Sequence, residues 1–229
     1  MRALVLTLVL AAALVASCGS SGKSAKSNGE ESKPAARVLA DAKAAATSAS
    51  SAHVSGSIQS EGTPITLDLS TARGKGAKGS MSTSGLKFDL IRIGDTLYIR
   101  GSDEFLKHFA GGAVAQLLHD KWLKASATHG RLKSLAPLTS LGALFEGVSA
   151  NHGTLVNDGK KTYKGDAVVV IRDTSDNSKL YVEATGKPYP VAIVGAKKGE
   201  SGTITFGDWN KSVSLTAPDG AIDISQFGG

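Results

Sequence analysis

The sequence predicts an α+β domain built on one large antiparallel sheet covered by helices. Three observations carry this. Apolar and polar residues alternate with period two in two long blocks, one from His53 to Gly101 and one from Gly153 to Leu215. Between them, 102–148 carries apolar residues at helical spacing, and a further helical segment precedes the first block. Strands therefore come in runs instead of alternating singly with helices, which excludes a doubly wound parallel sheet. One wet and one apolar face per strand is the antiparallel pattern.

Residues 1–17 read as an export signal. Met1-Arg2 supply a short positive start, and Ala3 to Ser17 form an uncharged apolar run, short for a bilayer span of roughly 20 residues. The run ends Val15-Ala16-Ser17-Cys18, small residues followed by a thiol. This resembles the lipobox of bacterial lipoproteins, with Val15 where Leu is commonest. A plain secretory signal with an incidental Cys18 is the alternative. Cys18 is the single cysteine, so no internal disulfide can use it. The expectation is an exported chain held on the outer face of the cell membrane by acylated Cys18, and otherwise soluble. Removing 1–17 takes one charge, Arg2, from a formal net charge of +6. The remaining length fits one domain, 34–229, and the modest basic balance suits solubility, anionic headgroups or cell-wall polymer more than nucleic acid.

Residues 18–33 hold the lipidated Cys18 and a Gly/Ser-rich stretch with no apolar residue larger than Ala, read as a flexible tether. Pro34 opens a helix over 35–51, where Val38, Leu39, Ala42, Ala45, Ala46 and Ala49 make a weakly apolar face; this predicts a helix at the edge of the domain. Residues 53–101 read as a meander of roughly five strands, with turns at Ser84-Gly85 and Gly94-Asp95.

In the middle block, Phe105, Leu106, Phe109, Val114, Leu117 and Leu118 follow helical spacing, with an interruption at Gly111-Gly112. Projected as one helix, they cover more than half the circumference and leave Glu104, Lys107, His108 and His119 wet. Pro137 is expected to start a second apolar helix with Leu138, Leu141, Leu144, Phe145 and Val148. Strand signals then return: a turn at Asp158-Gly159, a buried run Val168–Ile171, and strands at 180–182, 189–193, 204–206 and 213–215.

Catalytic chemistry finds little support. Gly74-Lys75-Gly76-Ala77-Lys78-Gly79 matches G-x-G-x-x-G, yet a strand pattern follows it where dinucleotide binding needs a helix. No G-x-S-x-G is present, and the five histidines show no metal-ligating spacing. No catalytic residue, metal ligand or cofactor is assigned, and the chain is not expected to be an enzyme. Trp122 and Trp209 read as packing anchors.

The C-terminal third carries the most distinctive wording: Leu180 to Val191 with its Gly186-Lys187-Pro188-Tyr189-Pro190 turn, then Ile204-Thr205-Phe206-Gly207-Asp208-Trp209-Asn210, then Val213 to Pro218. It resembles actinobacterial lipoproteins of the LppX/LprG type and, more distantly, LolA-like lipoprotein carriers. The resemblance implies a strongly curved sheet, a half-barrel closed by helices over an apolar cavity, in a group that carries acylated lipids or lipoproteins. On this reading an acyl ligand lies under the middle block, against Phe105, Phe109, Val114, Leu117, Leu118, Leu138, Leu141, Leu144 and Phe145. The alternative is a cell-envelope interaction protein with a solid core. A monomer is expected in either case.

Overall fold

The structure, a computed structural model, describes residues 26–60, 62–197 and 200–224; the export signal and Cys18 lie outside them. Helix α1 (Ala35–Ser48) leads into strands β1 (Ser51–Ser60), β2 (Thr63–Ala72), β3 (Gly76–Thr83), β4 (Leu86–Ile93) and β5 (Thr96–Gly101). The middle block gives α2 (Asp103–Ala110), α3 (Gly112–Leu118), β6 (Leu123–Ser126) and α4 (Leu141–Ser149). Then come β7 (Leu155–Tyr163), β8 (Asp166–Asp173), β9 (Lys179–Glu183), β10 (Pro190–Lys197), β11 (Glu200–Gly207) and β12 (Ile222–Asp223).

All twelve strands form one open, curved sheet in the order β12-β6-β5-β4-β3-β2-β1-β11-β10-β9-β8-β7. Each block is a meander, and antiparallel pairing of β1 with β11 joins them, from His53 opposite Gly207 to Ile58 opposite Gly202. Among the described strands only β12 against β6 is parallel. One face is the core: Val54, Leu69, Leu90, Leu97, Ile99, Val182 and Ile204 are at most 1% exposed. Val168 to Ile171 are all buried, as expected of a strand covered on both faces. Glycines on the inner face let the sheet coil. At Gly56 (φ +150°) a Cβ would sit 2.0 Å from the Thr203 carbonyl, and at Gly79 (φ +152°) 1.9 Å from that of Asp68, so the backbones approach where no side chain fits.

Several expectations need correction. Helix α1 is not peripheral: Val38, Ala42 and Ala46 are fully buried, and it crosses β7–β10 and packs on α4. Its small residues signal close approach to the sheet, not a weak contact. Residues 27–33 are not a flexible tether. Ser27 bridges Thr185, the Asn28 amide donates to Ala184 O at 2.9 Å, and Glu30–Ser32 form a 3-10 turn. Glu30, 2% exposed, meets Lys33 Nζ at 2.7 Å, and that ammonium also holds Asp41 of α1. Asn157 Nδ2 donates to Lys33 O at 2.8 Å and Glu30 O at 3.1 Å. A polar clasp thus docks a segment without large apolar residues.

Asp158-Gly159 is a bulge inside β7, not a turn; the chain reverses at Lys164-Gly165. The bulge follows Asn157, which still pairs with Ile171 in the ladder while its side chain reaches the clasp. Pro137 lies inside a 3-10 segment, Arg131–Thr139, and α4 begins after Ser140. Val213 and Leu215 form no strand; the segment after Asn210, whose amide donates to Ser51 O, runs on to β12.

Candidate functional site

The middle block folds into a cap. Ser102 Oγ accepts from the Phe105 amide at 3.3 Å and starts α2, with Asp103 and Glu104 at its positive end. At Gly111 (φ +82°) the chain folds back, so α2 and α3 pack on each other. His119 after α3 therefore returns to Asp103, Nδ1 to Oδ1 2.6 Å. That hydrogen bond, with the Asp103 and Asp120 charges, raises the His119 pKa above its ordinary value, and the same bond, with the His119 and Lys107 charges, lowers that of Asp103.

This reversal decides where the expected lining residues go. Phe105 is 2% exposed, wedged against Gly101 and stacked between Phe88 (4.9 Å) and Phe109 (4.5 Å). Phe145 is fully buried against Phe206, with Leu144 beside it in the core. Phe109, Leu118, Leu138 and Leu141 are half-buried against that core. Leu117 is 77% exposed and lines nothing inside; the single-helix projection fails because the two helices are antiparallel. The side chain of Val114 lies outside the described residues.

The apolar cleft opens elsewhere, between α1, α4 and the second meander. It measures about 310 Å³. Its floor is Ile171, Leu180 and Ile204, from β8, β9 and β11, all nearly inaccessible. Its walls are the half-buried Leu39 of α1, Ile58 of β1, Leu155 of β7 and Ile193 of β10. The rim is polar: His152, Asp173, Asp176 and Lys179. Asp173 fixes that rim, accepting from the Gly153 amide at 2.6 Å and from the Ser175 amide and hydroxyl at 2.7 and 2.6 Å. These bonds, Ser175 foremost, hold its carboxyl below the usual range. The floor residues were legible as buried strand positions, but nothing in their spacing marks a cleft above them. Among the described residues no helix is long and apolar enough to cross a membrane, and no cluster of histidine and carboxylate groups could hold a metal.

No family model and no curated protein matches the sequence. Among solved structures the chain is similar to LprF from Mycobacterium bovis, with a TM-score of 0.53 at 15% identity over 86% of this chain and 100% of that one. It is also similar to the Mycobacterium tuberculosis lipoprotein LppX (TM-score 0.48, 16% identity, 79% and 99% covered). A LolA superfamily protein from Nitrosomonas europaea aligns more loosely, with a TM-score of 0.27 at 10% identity over 80% and 96%. The LppX/LprG-type fold expected from the C-terminal wording is the fold observed.

Proposed function

We propose that the protein is an exported lipoprotein, attached to the outer face of the cell membrane through acylated Cys18, that binds an acyl chain of a lipid or acylated molecule in the cleft under α1 and α4. The observation that carries this reading is the cleft, an apolar floor and walls under a polar rim at the edge of a curved sheet. Its volume is at the lower end for ligand sites, which suits a segment of one chain. Each methylene buried there contributes about 0.8 kcal/mol. The rim groups would meet the polar end of the ligand. No residue does chemistry on this reading; shape and apolar surface select the ligand.

The packing under α2 and α4 favours a second reading, an interaction protein with a filled core, since Phe105 and Phe145 fill that space. One experiment separates them. A fluorescent fatty acid is titrated into the unmutated protein and an Ile193→Gln variant, and both are melted. The carrier reading expects binding that falls at least tenfold in the variant, with little change in melting temperature, because a half-buried cleft wall tolerates an amide. Absence of binding by the unmutated protein, together with a large drop in melting temperature for the variant, returns the cleft to the core.

A further inference from the structure

A second cavity lies at the other end of α4. It measures about 460 Å³, and its walls are the end of α1, the turn Arg73-Gly74-Lys75 between β2 and β3, the turn Gly94-Asp95 between β4 and β5, and the start of α4 at Ser140 and Leu141. The apolar cleft meets α4 at Gly147 and Ser149, so the two cavities sit at opposite ends of that helix. Their chemistry differs. Arg73, Lys75 and Arg92 all line the second cavity, and Asp95 is its one carboxylate.

The state of these cations is informative. Arg37, Arg100 and Arg172 each pair with an aspartate. Arg73, Lys75 and Arg92 pair with no carboxylate among the described residues. Arg92 is fixed from one side: Nε donates to Gly94 O at 2.8 Å, and Nη1 to Thr139 Oγ1 at 3.0 Å and Ala136 O at 3.4 Å. Its guanidinium is thereby pinned at the cavity wall with its charge uncompensated. Arg73 and Lys75 are exposed at the mouth, on a two-strand connection that holds them two residues apart. Three cations against one carboxylate around a concave volume concentrate positive potential.

We propose that this cavity binds a phosphate group, with Arg73 and Lys75 as the recruiting cations and Arg92 as the preorganised one. A phosphate rather than a carboxylate is assigned because a dianionic, many-acceptor group uses all three cations, and planar guanidiniums match its oxygens. The phosphate belongs either to a lipid headgroup or to the free ion. The glycine-rich string at Gly74–Gly79 contributes a turn that projects these cations, not a dinucleotide fold. The site does not depend on the apolar cleft.

The test is calorimetric titration of the purified protein with inorganic phosphate and with dihexanoyl phosphatidic acid. It is repeated on Arg73→Gln/Lys75→Gln and on a control of equal charge, Lys78→Gln/Lys164→Gln, whose residues lie outside the cavity. Loss of each cation should weaken binding about tenfold, so the cavity variant loses about a hundredfold and the control little. Binding of both probes with this pattern identifies the free ion as sufficient; binding of the phosphatidic acid alone with this pattern identifies the headgroup. Failure of both probes to bind at millimolar concentration would overturn the proposal. So would binding that the cavity variant retains, including phosphatidic acid held by its acyl chains alone. Because inorganic phosphate has no acyl chain, failure of the acyl-cleft reading leaves that arm unaffected.

Discussion

Asn157→Ala tests whether the clasp at 27–33 is part of the domain. The Asn157 amide donates to Lys33 O at 2.8 Å and Glu30 O at 3.1 Å, and its Oδ1 accepts from the Gly159 amide at 2.9 Å inside the β7 bulge. Truncation removes all three bonds. A net hydrogen bond contributes about 1 kcal/mol, and a buried orphan costs about 1–3 kcal/mol. The segment is only partly buried, so water recovers some of the loss, and the expected destabilisation is about 2 kcal/mol. For a domain of this size that is a fall of about 4–8 °C in melting temperature. Urea and thermal unfolding measure it, and limited digestion with a glutamate-specific protease reads the same event locally, because the bond after Glu31 becomes accessible once the clasp opens. A variant that melts with the parent and shows no new cleavage after Glu31 would refute the reasoning and return 27–33 to the tether.

Three further outcomes are expected. Phe145→Ala should cost about 3–5 kcal/mol in urea unfolding, since it empties a fully buried site, whereas Leu117→Gln should stay within about 0.5 kcal/mol because the side chain meets water. The His119 ring should titrate above the ordinary histidine value by NMR, and Asp103→Asn should lower it toward that value, with Asp120 keeping part of the rise. The contribution of His119 is complete below its unfolded pKa and is lost as pH rises through the raised folded one, while that of Asp103 is complete above its unfolded pKa and is lost as pH falls through the depressed folded one. The α2–α3 pair is therefore held most firmly between the ordinary aspartate and ordinary histidine ranges, and loosens as pH rises on toward the raised His119 value. Cys18→Ser should move the protein out of the detergent phase on partitioning with its circular dichroism unchanged; retention in that phase would mean that something other than an acyl anchor holds it.

The sequence by itself determined the class of the fold and the order of its parts. Period-two alternation is imposed by strand geometry, so Ile65-Leu67-Leu69 and Leu86-Phe88-Leu90 disclosed their strands, and Gly111-Gly112 disclosed the break between α2 and α3. These are local signals, fixed by a residue and its near neighbours. What the tertiary structure decided is whatever depends on partners far along the chain. Ser27–Lys33 reads as a polar tether, and partners far along the chain, the amide of Asn157 and the backbone of Ala184 and Thr185, give it a place. Asp158-Gly159 has the chemistry of a turn and becomes a bulge inside β7, next to the Asn157 whose side chain reaches that clasp. Leu117 matches a helical apolar stripe, but the fold-back at Gly111 turns that stripe outward. Both cavities belong to this second kind: each is bounded by α1, α4 and strands or turns of the sheet, the apolar cleft chiefly by the second meander and the cationic cavity by the first, so their walls exist only once the helices have crossed the sheet. Periodicity tells which side chains leave water; whether they then touch each other or enclose a space is set by how distant elements pack.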